Sequence, residues 1–445
     1  MTRALLRSAA PAVSLAAAAW AVWWSVDRGR RLQQAGPEIK IGAAPLVGRV
    51  DLDSWDWRFG FSVLVAAVLA AAVAGLWWSG WFERARLRWI VLASAAGSAL
   101  FAVMLALVDG VDGLRYGIDH PSEYLATLDQ MPPTAEFIDT FLRDINYYSV
   151  HVRGHPPGFV VMLQAMRGIG LGGTWPLLTL TVLALAATVV ATLVIVHGVA
   201  GTTVMRRAAP WLIVAPYLLW MMSSADAIFT AWATGGVALL VRALVATSWR
   251  RQVALGALAG TALGWLLFLT YLGATFMVVP VAVGLWGLTQ RRTAAVTPLA
   301  AATVLIGVVT LVMRRAGFWW FDGVEVTKLQ YEFGTAQFRP WGYFRIANLA
   351  VAAIAVGPVV IAALGALHNG RVRLLVVAGL MALMASHLST FTKAEVERIW
   401  LPFFPFVTIA AATFLGSRHR AIGAALIVVQ AGAALLLQSS LVQKW

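Results

Sequence analysis

The stretch Thr174–Val199, TWPLLTLTVLALAATVVATLVIVHGV, decides the fold. It contains no Asp, Glu, Lys or Arg, and its one titratable side chain is His197. A helix rising ~1.5 Å per residue needs roughly 20 apolar residues to cross a hydrocarbon core, and this run exceeds that. Twelve similar runs lie on either side of it, at 8–26, 59–79, 89–108, 208–222, 225–244, 252–268, 270–289, 295–313, 346–367, 372–388, 399–415 and 421–439. The pairs near 208–244 and 252–289 have very short connections. The expectation is therefore an all-α polytopic transmembrane bundle of about 11–13 helices, with 1–445 forming a single integral membrane domain.

Composition agrees with this reading. Of 445 residues, 60% are hydrophobic and only 12% charged, against about a quarter charged in soluble domains. The absence of cysteine excludes disulfides, zinc–thiolate sites, iron–sulfur clusters and cysteine nucleophiles. A net charge of +14 would point to nucleic acid in a soluble protein. Here the basic residues stand in short clusters between apolar runs, so no nucleic-acid partner is expected.

Those clusters orient the chain. With the N-terminus in the cytoplasm, the short inner loops carry Arg84, Arg86 and Arg88; Arg206 and Arg207; Arg250 and Arg251; Arg291 and Arg292; Arg371 and Arg373; Arg418 and Arg420. This is the positive-inside pattern. The run after Arg3 and Arg7 reaches spanning length and ends in Trp20, Trp23 and Trp24, so it reads as an uncleaved first helix. Of the twenty acidic residues only Glu83 falls inside. Carboxylates, the usual general bases, thus crowd the outer side, in segments 27–58, 109–173, 314–345 and 389–398 and in a turn at 223–226.

Segment 109–158 is the richest. It reads DGVDGLRYGIDHPSEYLATLDQMPPTAEFIDTFLRDINYYSVHVRGHPPG and holds eight acids and three of the seven histidines. Phe137, Phe141, Leu142 and Ile145 recur at helical spacing, which predicts a surface helix over Thr134–Tyr148 with its apolar stripe laid on the membrane. His151 and His155 flank Arg153 just before Pro156 and Pro157. The prolines equally account for a rigid helix start. No third ligand is specified, so no metal site is assigned.

Segment 389–398, STFTKAEVER, sets Lys393, Glu395, Glu397 and Arg398 at the membrane boundary, and of these Glu395 is given no role. The planar fork of Arg suits phosphate oxygens, and a snorkelling Arg398–Glu397 pair is the plainer alternative. Asp226 lies between two apolar runs, as a boundary acid or a helix cap. Asp51, Asp53 and Asp56 stand near a helix start, and Asp144 within the long outer segment. Segment 314–345 is aromatic and cationic. Arg314 and Arg315 there run against the orientation trend, which points to an acidic or anionic-lipid partner.

Together these features resemble the GT-C superfamily of membrane glycosyltransferases. Tyr116-Gly-Ile-Asp119-His-Pro-Ser-Glu123-Tyr124 resembles the acidic part of that superfamily's outer loop. His155-Pro156-Pro157-Gly158 resembles its proline-led helix start, Ser224-Ala225-Asp226-Ala227 a small-Asp-small outer turn, and Glu397-Arg398-Ile399-Trp400 a late Glu/Arg segment. The narrower likeness is to actinobacterial cell-envelope enzymes such as the methylthioxylose transferases. The superfamily's acidic loop usually follows the first helix, whereas here it follows the third. Either two helices precede the core, or Asp51 to Asp56 holds the base.

The resemblance implies a GT-C-like bundle with outer juxtamembrane helices, in the cell membrane, with an extracytoplasmic active site. It implies inverting sugar transfer from a polyprenyl-phosphate donor to a glycan or glycolipid acceptor. Asp119 or Glu123 would serve as base. Arg398, helped by Arg153 or Lys393 and with Glu397 beside it, would hold the donor phosphate, and His151 and His155 phosphate or sugar hydroxyls. Residues 168–173 and 318–321 would wall an apolar groove for the lipid. No cofactor follows firmly, and a divalent cation stays open. The rivals are a multi-spanning transporter or lipid-linked glycan flippase, and a non-catalytic scaffold.

Overall fold

A computed structural model of the chain describes residues 2–36, 38, 39, 41, 57–222, 225–291, 293–367, 370–414 and 419–440. Among these every regular element is helical. Ten helices are long and apolar enough to cross a membrane, or eleven if one bent pair counts as a single span. The chain is an all-α multi-pass membrane bundle.

In chain order the elements used below are α1 (Thr2–Ala35), α2 (Phe61–Trp78), α3 (Leu87–Ala106), α4 (Gly110–Asp119), α5 (Thr134–Thr140), α6 (Val150–Arg153) and α7 (Gly158–Gly168). They continue with α8 (Thr174–Ala200), α9 (Thr202–Ile213), α10 (Asp226–Val245), α11 (Trp249–Leu269), α12 (Leu272–Arg291), α13 (Thr293–Arg315), α14 (Trp320–Phe333) and α15 (Trp341–Val356). The last are α16 (Pro358–Gly365), α17 (Arg371–Leu388), α18 (Val396–Ile399), α19 (Phe404–Thr408) and α20 (Arg420–Ser440).

Two of the thirteen expected runs are not single spans. Residues 208–222 form the end of α9 and then a 3-10 turn over Pro216–Met222. Among the described residues of 399–415 are the end of α18, then α19 and a second 3-10 turn, Ile409–Thr413. Pro216 and Pro402 stand at the interruptions, where each lacks the backbone donor that a continuing helix would use, whereas Pro210 lies within α9 and Pro405 in the first turn of α19. Irregular backbone survives at membrane depth only when protein covers it. Accordingly, residues 208–222 and 400–412 are buried throughout.

A third run bends by 105° between α15 and α16. Gly357 makes the bend with φ 87°, a conformation that L side chains rarely adopt. The break frees backbone groups, and buried Gln430 of α20 takes them. Its Nε2 donates to the Val356 carbonyl at 2.6 Å, and its Oε1 accepts from Val359 N–H at 3.0 Å.

The long segment 109–158 is more ordered than its composition implies. The third span runs on through a 3-10 turn into α4 and ends at Asp119. The expected helix over Thr134–Tyr148 is shorter: α5, then turns, then a 3-10 turn at Ile145–Tyr147. Its apolar stripe is not laid on lipid. Phe137, Phe141 and Ile145 are buried, and the Phe141 ring packs against Tyr148 and Phe318. Gly158 at the start of α7 rests on the backbone of Phe268, where any Cβ would collide. That contact fixes the height of the preceding His-Pro-Pro segment against the end of α11.

Candidate functional site

The site begins with a loop held under strain. Three non-glycine residues in the described chain have positive φ, and all belong to one segment: Thr390 (61°), Ala394 (72°) and Glu395 (61°). Each such conformation costs on the order of 1–3 kcal/mol and persists only where surroundings impose it. The surroundings are explicit here. Buried Asn348 of α15 donates from Nδ2 to the Thr392 carbonyl at 2.8 Å and accepts from Ala394 N–H at 3.2 Å. Tyr331 of α14 accepts the Lys393 N–H at 2.8 Å, and Arg339 donates to the Lys393 carbonyl at 2.6 Å.

The strained turn delivers Arg398, on α18, to a junction of three distant segments. Arg398 Nη1 lies 3.2 Å from Asp226 Oδ2, at the first residue of α10. Its Nη2 lies 2.8 Å from Glu395 Oε2 and 3.0 Å from His151 Nε2. The other ring nitrogen of His151, Nδ1, is 2.6 Å from Glu123 Oε1. Arg339 closes the far side on Glu395 Oε1 at 2.9 Å. Glu123, Asp226 and Arg398 are all buried. The α10 helix is 20 residues long, so Asp226 at its start lies near a membrane boundary rather than at mid-depth.

Two guanidiniums therefore face three carboxylates, one negative charge in excess. Burial disfavours the charge on Arg398, but Glu395, Asp226 and Glu123 outweigh it and hold the guanidinium ionised more firmly than usual. Burial likewise opposes ionisation of Glu395, and Arg398 and Arg339 overcome it, taking its carboxyl down to about 2. Glu397, two residues on, has the opposite fate. Burial, reinforced by Glu395, pushes its carboxyl up to about 7. It is fully buried, and neither of its oxygens has a hydrogen-bond partner among the described residues.

The structure sorts the sequence candidates. It brings together Glu123, His151, Asp226 and Arg398. His155 lies alongside: its Nδ1 donates to the His151 carbonyl at 2.8 Å, and its ring packs between Tyr124 and Phe229. Burial lowers the His155 pKa. Arg153 ends α6, and its carbonyl faces Thr327. Lys393 turns away, its Nζ on the Ala336 carbonyl at 3.2 Å.

Asp119 stands apart from the cluster. It accepts from Arg115 and from Thr174 at 2.5 Å, joining the end of α4 to the start of α8. Asp144 pairs with its neighbour Arg143 on the surface. Asp51, Asp53 and Asp56 lie outside the described residues. The expected Arg398–Glu397 pair is replaced by Arg398–Glu395, because the left-handed turn at Glu395 folds that side chain back over the next helical turn. Glu395, Arg339 and Asn348 were not among the candidates. For Glu395 the signal was its spacing of three from Arg398, a separation at which helical side chains meet.

Of two cavities, the first is lined by residues of this site and the second is not. A small crevice is lined by Glu123, Tyr124, Phe159, Thr181 and Ala225 among others. A larger apolar groove of about 1020 Å³, open to the surroundings, runs between α1, α15, α16 and α20. Its walls include Ala18, Val22, Ile354, Ile361 and Leu436, not the expected 168–173 or 318–321. The groove and the polar cluster share α15, which presents Ile354 to one and Asn348 to the other. Among the described residues no group of three or more His, Asp or Glu side chains is placed to hold a metal ion. Comparison with protein-family models and with curated proteins returned no match.

Proposed function

We propose that the chain is an integral membrane glycosyltransferase. It moves a sugar from a polyprenyl-phosphate donor to a hydroxyl of a cell-envelope glycan or glycolipid, on the non-cytoplasmic side of the cell membrane. One observation carries the reading: the hydrogen-bonded row Glu123–His151–Arg398. It sets a proton acceptor beside an anion-binding fork at a helix end. Attack by a hydroxyl needs the first, and departure of a lipid phosphate gains from the second. The apolar groove on the same α15 supports a lipid substrate. The orientation follows from the basic loops at the opposite end of the bundle.

A strain lacking the gene tests this. Its lipid extract should accumulate the polyprenyl-phosphate sugar and lack one glycan. Wild-type protein should restore both, and Arg398→Ala should restore neither. An unchanged glycan profile, or a reporter fused near Thr134 that reads as cytoplasmic, would end the proposal.

Transport or flipping of a lipid-linked glycan is favoured by a different observation. Three runs are interrupted, and a buried ion cluster lies near them, as in many transporters. Transporter sites lie near the membrane midplane, whereas Asp226 opens its helix. Lipid-linked substrate that crosses vesicle membranes without any change in its sugar would favour transport.

A further inference from the structure

Arg398 can only donate hydrogen bonds. Its Nη2 lies 3.0 Å from His151 Nε2, so that nitrogen must be the acceptor. The ring proton then sits on Nδ1, which donates to Glu123 Oε1 at 2.6 Å. One neutral tautomer is thereby selected, with its only lone pair covered by a guanidinium. Tyr124 and His155 are the other titratable neighbours of the ring, and Asp226 and Glu395 lie beyond Arg398.

Glu123 already accepts a hydrogen bond from the ring, and Asp226 and Glu395 are ion-paired with Arg398. Among the described partners of the guanidinium, an anion that claims it competes least against His151, which is neutral, while Asp226 and Glu395 are carboxylates. Its arrival leaves Nε2 bare at the place where the fork meets the substrate.

We infer that His151 Nε2 is the atom that takes the acceptor proton, that Glu123 is the positioning residue behind it, and that Arg398 covers this nitrogen until an anionic substrate draws the guanidinium away. The inference rests on the sugar-transfer reading. In the step it implies, the acceptor O–H proton passes to Nε2 and the oxygen bonds to the anomeric carbon. The carbon–oxygen bond to phosphate breaks, and the phosphate leaves with the electron pair beside Arg398. The imidazolium formed is stabilised by Glu123, as a carboxylate stabilises histidine in other general-base pairs. The cover has a consequence: an empty site holds no uncovered base, so water is not activated against a donor bound out of register.

Two measurements on the full-length protein in bilayers test this. Nitrogen spectra of isotope-labelled histidines, assigned by His151→Gln, should show His151 protonated at Nδ1 and bare at Nε2 in the resting protein. Farnesyl phosphate should leave the ring protonated at Nδ1 and move the Nε2 resonance to that of an unprotonated nitrogen no longer hydrogen-bonded to Arg398, and Glu123→Gln should weaken the preference for the Nδ1 tautomer. In transfer assays His151→Gln should lower kcat by ~10²–10⁴-fold, with farnesyl phosphate affinity within about threefold of wild type if the general-base share is lost and phosphate binding kept.

A resting ring protonated at Nε2, or one that farnesyl phosphate leaves unchanged, overturns the inference even if transfer is observed. So does a His151→Gln protein that keeps kcat but loses donor affinity, since that marks a phosphate ligand. A wild-type protein whose His151 responds as expected but which transfers no sugar overturns the reaction and leaves the covered nitrogen standing.

Discussion

Two arginine–carboxylate pairs, at opposite ends of the bundle, use the same chemistry in different solvents. At the end rich in basic loops, Arg420 meets Glu83 at 2.7 Å, with side chains 43% and 37% exposed. At the other end Arg398 meets Asp226 at 3.2 Å, with side chains 5% and 6% exposed. Exposed pairs are screened and contribute about 0–1 kcal/mol. A buried pair is desolvated, so it brings little net stability when complete and leaves a costly charge when broken. The buried end also holds the strained loop and the unpartnered carboxyl of Glu397. Features that stability does not reward are concentrated at one end, which is why the site is placed there.

The largest effect that could break this contrast comes from Arg398→Ala. It takes Arg398 from buried Asp226 and leaves Glu395 with Arg339 alone, so thermal unfolding in detergent should show a loss of ~3–5 kcal/mol, together with loss of transfer. A loss below about 1 kcal/mol would make the two ends energetically alike.

Glu397→Gln sharpens the contrast through pH. The carboxyl sits at about 7 against an ordinary 4.5. The folded state therefore holds this proton more tightly than the unfolded chain does. Its contribution is fully present below pH 4.5 and is lost as pH rises through about 7. Wild-type stability should fall over that window, by on the order of 3 kcal/mol in all, while Glu397→Gln should stay flat across it and be the more stable protein at pH ~8. Glu395, held at about 2, shows the reverse dependence, losing its contribution only as pH falls toward that value. Parallel curves for wild type and Glu397→Gln would refute a neutral buried carboxyl.

The smallest effect belongs to the exposed pair. Glu83→Gln should change stability by less than ~1 kcal/mol, and less still at high salt. A larger, salt-insensitive loss would show that this end too depends on its charges.

Much of this molecule is legible along the chain, for reasons of scale. A spanning helix satisfies its own backbone and needs only about 20 apolar residues in a row, so Thr174–Val199 announces itself without any partner. Charge clusters between such runs are equally local. Where neighbours decide, reading along the chain stops. Residues 208–222 and 399–415 have spanning composition but are broken by prolines that the packed bundle shelters. The Phe137–Ile145 stripe is apolar in either setting, and only packing shows that protein rather than lipid covers it.

The site divides in the same way. The chemistry of Glu123, His151, Asp226 and Arg398 could be read from residue type and position at helix ends. Their union could not, because His151 and Arg398 are 247 residues apart and no local rule links them. Asp119 and Glu123 are four residues apart with the same chemistry. One faces Arg115 and Thr174 and the other faces His151. Glu395 and Glu397 are separated by a single residue, yet two arginines hold one carboxyl down at about 2 and burial pushes the other up to about 7. Residue type sets what a carboxyl can do. Which of them does it depends on the dielectric and the cations around each one, and only the tertiary structure supplies those.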